Sequence, residues 1–150
     1  LDSVGVTHVI NLAGSGGEKN RDGVTEIDAN RVFSDDYVYL DIDIADSRKA
    51  SLTPHFDTCN EFISKAVDSG GVVLVHCWRG VSRSAAICIA YVMSKRGVSF
   101  DDARKEVRAK RRCVRCNSGF VRQLRDYYEL TLIPRRAAEA AAKREPTSPL

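Results

Sequence analysis

The chain has no apolar stretch that approaches the roughly 20 residues needed to cross a bilayer. Its longest candidate runs only from Ala85 to Met93. The opening residues Leu1-Asp2-Ser3 carry neither the basic nor the apolar region of a secretory leader. Glycine and proline are scarce, at 10 and 4, which excludes a collagen-like or proline-rich fibre. There is no internal repeat. Cysteine comes as an odd set of five (Cys59, Cys77, Cys88, Cys113, Cys116) at scattered spacings. Small secreted disulfide scaffolds show even sets in shorter chains, so the expectation is a reducing, intracellular compartment: cytoplasmic, with the nucleus also open. The pair Cys113-Val-Arg-Cys116 has no second pair and no His downstream, so neither a zinc site nor any other metal or cofactor is expected.

What is present suits one α/β domain. Of the 150 residues, 43% are hydrophobic, enough for a core and too many for wholesale disorder. Charge is lopsided. Residues 1–75 hold 6 Lys and Arg against 13 Asp and Glu; residues 76–150 hold 17 against 7. Arg104 to Arg115 alone carries seven basic residues with only Glu106 opposing them. Such a run reads either as a solvated helix face or as a docking surface for an acidic or anionic partner; nucleic acid is not the expected one.

Val4 to Ala13 is rich in β-branched residues and ends at Gly14-Ser-Gly-Gly17, the mark of a strand and a loop. Short β-like pieces surround Val24–Ile27, and Tyr37 to Ile44 reads as a second strand. Leu52 to Asp68 is helical, with Phe56, Cys59, Phe62, Ile63, Ala66 and Val67 on one face. Val72 to His76 is a short continuous apolar run, the pattern of a fully buried parallel strand. Ser84 to Arg96 is apolar almost all round, a buried helix in which Cys88 joins Cys59 as a core thiol. Ser99 caps a helix to about Arg112, and Asn117 caps a last one to about Leu132, ended by Pro134. Residues 1–133 therefore form the domain, a central, mostly parallel sheet flanked by helices. Residues 134–150 form an Ala-rich, disordered tail, within which Ala137–Arg144 could form only a marginal isolated helix.

The segment Val72-Val-Leu-Val-His-Cys-Trp-Arg-Gly-Val-Ser-Arg-Ser84 concentrates the chemistry. A buried strand ends at Cys77, an Arg follows six residues later, and a buried helix starts. Such a turn points successive N–H groups inward and adds the positive end of a helix dipole, which cradles a tetrahedral dianion. Gly80 permits the tight path. Cys77 sits at the floor, where amides, helix and Arg83 favour thiolate; such settings lower a Cys pKa from about 8.5 into roughly 3.5–7.5. Arg83 offers a planar fork for two phosphoryl oxygens. Trp78, Arg79, Val81 and Ser82 line the mouth, so Trp78 to Arg83 form the phosphate-binding loop, and His76 holds it from behind.

His76-Cys-Trp-Arg-Gly-Val-Ser-Arg-Ser84 resembles the signature of cysteine-dependent protein phosphatases, and its Ser-Arg-Ser ending is similar to the dual-specificity branch. Gly5-Val-Thr-His-Val-Ile-Asn-Leu-Ala13 resembles that branch's early strand. Tyr39-Leu-Asp-Ile-Asp-Ile-Ala-Asp46 resembles its acid loop, and Asn117-Ser-Gly-Phe-Val-Arg-Gln-Leu124 its late helix. The likeness covers about residues 1–132 and implies a further strand and helix ahead of Leu1. It implies a phosphatase in which thiolate Cys77 takes the phosphoryl group and an acid protonates the departing oxygen. Three carboxylates stand near the second strand. Asp41 and Asp43 share a face there; Asp46 lies past the strand end and is the expected acid, with Asp43 the alternative. The resemblance gives Ser84 the role of helping the sulfur leave, beside a plain helix-capping role, and has Asn117 steady the loop, although Cys116 stands where relatives often have Pro. Phosphorylated proteins are the implied substrates, at phosphotyrosine and phosphoserine or phosphothreonine. A lipid, glycan or RNA phosphatase and a silent phosphate-binding module are the alternatives.

Overall fold

The computed structural model describes residues 4–13 and 37–144. Three short strands, β1 (His8–Asn11), β2 (Val38–Asp41) and β3 (Val73–His76), pair in the order β2-β1-β3, and both pairings are parallel. The register sets Asn11 opposite both Asp41 and His76, so the three strands end together at one edge. Parallel strands need long crossovers, and the one between β2 and β3 contains helix α1 (Phe56–Asp68), whose predicted apolar face places Phe56, Cys59, Ile63 and Ala66 in the core.

Helix α2 (Arg83–Arg96) follows β3 and is the centre of the molecule. Its Ala85, Ala86, Ile87, Ile89, Ala90 and Met93 are buried, as the all-round apolar sequence requires. It packs against α1, β3, α3 (Phe100–Lys110) and α4 (Ser118–Tyr127). The two predicted caps are present: Ser99 Oγ accepts from the Asp102 N–H, and Asn117 Oδ1 from the Phe120 N–H. Phe120 and Leu124 drive α4 onto the same core.

Some expectations change. The strands are shorter than Val4–Ala13 and Tyr37–Ile44. β3 is half-buried rather than fully buried, because among the described residues only β1 flanks it. Pro134 does not end the last helix. A π-helical turn (Tyr128–Leu132) shifts the hydrogen bonding and leads into α5 (Ile133–Ala142). Pro134 then stands in the first turn of α5, where its missing N–H costs nothing. Residues 134–144 are thus helix-bearing rather than disordered tail. Arg135 holds α5 to α1 through a two-pronged contact with Asp57 at 3.0 and 2.9 Å, and Tyr127 donates to the same carboxylate at 2.6 Å. The pieces expected around Val24–Ile27 and the terminus 145–150 lie outside the described residues.

Candidate active site

The strand ends where the sequence indicates. Cys77 leaves β3, residues 77–82 turn, and α2 starts at Arg83. Gly80 takes φ +63°, the left-handed region where a side chain is disfavoured. The loop's carbonyls are engaged from outside by the chain between α3 and α4. Arg111 Nε donates to Gly80 O at 3.1 Å, the Arg115 N–H to Val81 O at 2.8 Å, and Cys116 Sγ lies 3.7 Å from Ser82 O. A peptide unit points its N–H opposite its carbonyl, so carbonyls tied outward leave the amides facing the cleft.

At the floor, Cys77 is 9% exposed and its sulfur lies 3.2 Å from Ser84 Oγ. Burial pushes this thiol up. Hydrogen bonds from the Ser84 hydroxyl and the Ser84 and Gly80 amides, with the Arg83 charge, outweigh that and bring it below the ordinary thiol value. Arg83 is buried beside it. One guanidinium nitrogen donates to Ala13 O and Ile44 O, both at 3.0 Å, so the chain leaving β1 and β2 fixes its plane. Burial pushes the His76 imidazole pKa down, against opposing effects from the Cys77 backbone and Asp41.

Across the cleft, Asp46 is the acid-loop carboxylate that faces the loop. Its Oδ1 accepts from Ser82 Oγ and from Asn117 Nδ2, each at 2.8 Å. The Asn117 N–H in turn donates to Ser82 Oγ at 3.0 Å. Asp41 instead pairs with Asn11 at 2.9 Å, and neither it nor Asp43 lines the cleft. The cleft, about 730 Å³, gathers Asp46, Cys77, Trp78, Arg79, Val81, Ser82, Arg83 and Asn117.

Three readings sharpen. Ser84 lies inside the first turn of α2, not at its cap, and its hydroxyl serves the sulfur. Ser82 lines the cleft as expected, and although buried it also holds Asp46 through its hydroxyl. Asn117 holds Asp46 through its side chain as well as the loop through its N–H to Ser82. Arg48 and Arg115, which sequence reasoning did not place in the site, also line the cleft; Arg115 stood in the basic run, and Arg48 gave no signal. The remaining half-buried and buried thiols do not compete with Cys77: burial pushes Cys59 and Cys116 up to about 12 and Cys88 to about 11. Among the described residues no group of three His, Cys, Asp or Glu side chains gathers to hold a metal.

Comparison with known proteins agrees with this geometry. The dual specificity phosphatase catalytic domain matches residues 1–130. Dual specificity protein phosphatase 1B of Arabidopsis thaliana is 38% identical over 85% of this chain and 68% of its own length. Dual specificity protein phosphatase 1 of Mus musculus is 33% identical over 95% of this chain and 35% of its own. The chain thus spans from about a third to two thirds of these two curated relatives. Among solved structures, a human tyrosine phosphatase-like serine/threonine/tyrosine-interacting protein shares 36% identity, covers 87% of this chain and 81% of that one, and superposes with a TM-score of 0.72. A mouse candidate dual specificity phosphatase complexed with zinc tungstate shares 32% identity over 91% and 77%, also with a TM-score of 0.72. A strand, a braced loop and a helix that set a cysteine, an arginine and a remote aspartate around one cleft therefore have a known lineage, and this chain belongs to the dual specificity phosphatase family.

Proposed function

We propose that the domain hydrolyses phosphotyrosine and phosphoserine or phosphothreonine in proteins through a cysteinyl-phosphate intermediate. The observation that carries this reading is the environment of the Cys77 sulfur, which meets the Ser84 hydroxyl, two loop amides and the Arg83 charge at one point. The phosphoryl group enters the loop with its bridging oxygen towards Asp46. The thiolate attacks phosphorus in line; the S–P bond forms as the bond to the substrate oxygen breaks. Arg83 and the inward amides stabilise charge on the equatorial oxygens. Asp46 gives its proton to the departing oxygen, which is otherwise a poor leaving group. Water then attacks phosphorus and gives a proton to the Asp46 carboxylate. The S–P electron pair returns to Cys77, where the Ser84 hydroxyl donates to it, and inorganic phosphate leaves.

An open cleft admits both aryl and shorter alkyl phosphates, in keeping with dual specificity. The mouse relative complexed with tungstate, a tetrahedral oxyanion, supports an anion seat in the same fold. A silent phosphate-reading module would lack the cysteine, the arginine or the acid, and all three are here. A reducing cytoplasmic or nuclear compartment suits a nucleophile of this kind. The test is hydrolysis of an aryl phosphate and of phosphotyrosine and phosphothreonine peptides by wild type and Cys77→Ser. The variant should lose turnover on all three by at least about a thousandfold, as loss of a covalent nucleophile does. Equal rates would remove the mechanism.

A further inference from the structure

Asn11 ends β1, opposite Asp41 of β2 and His76 of β3, at the sheet edge from which the phosphate loop springs. Its side chain makes two hydrogen bonds. Nδ2 donates to Asp41 Oδ1 at 2.9 Å, and Oδ1 accepts the Ala13 N–H at 3.0 Å. An N–H can only donate and a carboxylate only accept, so the two partners fix which way the amide faces. The Asn11 backbone carbonyl accepts the Ile42 N–H at 2.9 Å. Both segments held in this way lead to Arg83: Ala13 O and Ile44 O each accept from its Nη1 at 3.0 Å. Asn11 thus touches both arms of the grip on the arginine. Ala13 is fully buried, so water does not take over its N–H once the amide is cut away.

Resting on the reading above, we infer that Asn11 and Asp41 are positioning residues for phosphoryl transfer: the Asp41 carboxylate holds the Asn11 amide, and the amide sets the Ala13 backbone that aims Arg83 at the phosphoryl oxygens. Neither side chain lines the cleft, so both act through the arginine. A guanidinium is a planar fork, and its hold on phosphate depends on the direction of that plane as well as on its charge. Tying Nη1 at two points sets the plane before a substrate arrives, which is where orientation helps a reaction most. A staple for the sheet would be redundant here, because the β1–β2 ladder already pairs four residues through the backbone. The amide bonds instead to the chain beyond the ladder, where Ala13 O lies. Asp46 is held by other groups, Ser82 and Asn117, so loss of the two supports should leave different kinetic signatures.

The test measures kcat/KM on a nitrophenyl phosphate and an alkyl phosphate, and the affinity for inorganic phosphate by calorimetry. Asn11→Ala should lower kcat/KM by about tenfold on both substrates alike and weaken phosphate binding, because Arg83 grips the phosphoryl oxygens whatever the leaving group. Asp41→Ala, a change at an exposed side chain, should cost about threefold. Asn11→Asp sets two carboxylates face to face and should cost at least as much as Asn11→Ala. Adding Asp41→Asn to it reverses the polarity of the pair: an amide at position 41 donates to a carboxylate at position 11, which still accepts the Ala13 N–H. Activity and phosphate affinity should then return to within about threefold of wild type. In an Arg83→Lys background, which lacks the fork, Asn11→Ala should cost less than about twofold. An unchanged kcat/KM in Asn11→Ala, a loss confined to the alkyl phosphate, full additivity with Arg83→Lys, or no recovery in the reversed pair would overturn the proposal. Should Asn11→Ala fail to fold, Asp41→Ala and the reversed pair decide it by the same measurements. Failure of wild type on both phosphates would instead overturn the hydrolytic reading, while the ranking of phosphate affinities still decides the positioning.

Discussion

Gly119 lies in the first turn of α4 with the acid loop pressed against it. A Cβ built there would lie 2.2 Å from Arg48 O and 2.7 Å from its C and Cα. Those are backbone atoms, so no side-chain rotation relieves the contact. Real Cβ contacts hold about 3.0 Å or more, so Gly119→Ala forces Arg48 to retreat by about 1 Å. The retreat is confined. Downstream, Gln123 Oε1 accepts from the Leu52 and Thr53 amides at 2.6 and 3.0 Å, and its Nε2 donates to Ala50 O at 2.9 Å. The movement therefore falls on residues 46–49, and the 2.8 Å bonds that hold Asp46 stretch past useful length.

The fold should survive. Alanine is a better helix former than glycine by up to about 1 kcal/mol, which offsets one lost half-exposed hydrogen bond of about the same size. The melting temperature should stay within about 4 °C of wild type. Catalysis should not. General acids contribute about 10²–10⁴-fold, and a misplacement of about 1 Å can remove a large share. On an alkyl phosphate, kcat should fall by about 10–100-fold; on a nitrophenyl phosphate, whose leaving group needs little protonation, the fall should be under about fivefold. Asp46→Asn should give the same leaving-group dependence, and adding Gly119→Ala to it should cost little more. An equal loss on both substrates, or additive losses in the double variant, would refute the claim that Gly119 acts through Asp46.

Ser84→Ala should raise the Cys77 pKa, slowing iodoacetamide alkylation near pH 6 by about tenfold, the worth of one hydrogen bond to a charged group, and letting the phosphorylated enzyme accumulate. The wild-type thiol is held below its unfolded value of about 8.5, so its thiolate stabilises the fold above that pH and loses that contribution as pH falls through the native pKa. Stability measured against Cys77→Ser should therefore diverge as pH rises. Arg135→Ala should weaken urea resistance at pH 7 by about 1 kcal/mol or less, since the pair is half-exposed. The Arg135 contact, the largest effect on Asp57, lowers its carboxyl pKa against burial, so the contribution is full above about pH 4 and is lost as pH falls through the native pKa; the difference between the two proteins should shrink steadily below about pH 4. A difference that stays undiminished as pH falls would show that α5 is held by something other than this pair.

The reaction centre was legible because its parts are adjacent in sequence. Cys77, Gly80, Arg83 and Ser84 lie within one strand–turn–helix, so residue type and spacing dictate geometry directly. The helices were legible for the same reason: Ser99 and Asn117 cap the turns that follow them. What spacing could not convey was contact between distant segments. Ser82 and Asp46 are 36 residues apart, and Asn117 and Asp46 are 71 apart, so the lock on the acid has no local signature. Pro134 misled because a proline stops a helix only if its N–H is required, and the π-helical turn before it removes that requirement.

The stretch from Arg111 to Asn117 shows how one element can be misread locally and be decisive in the fold. As sequence it is a basic run ending in an isolated cysteine pair, which points to docking or to nothing. In the structure it crosses behind the phosphate loop, and its side chains and amides engage the Gly80, Val81 and Ser82 carbonyls. An anion seat made of amides is only as good as the force turning those amides inward. Here that force comes from outside the loop, from residues 31 to 34 positions further along the chain. The same stretch then supplies Asn117 to Asp46 and Arg115 to the cleft wall. Nucleophile, acid and cleft wall are thereby tied to one brace, so Arg111→Ala, which frees the Gly80 carbonyl without touching substrate, should weaken phosphate affinity and slow the chemical step together rather than either alone.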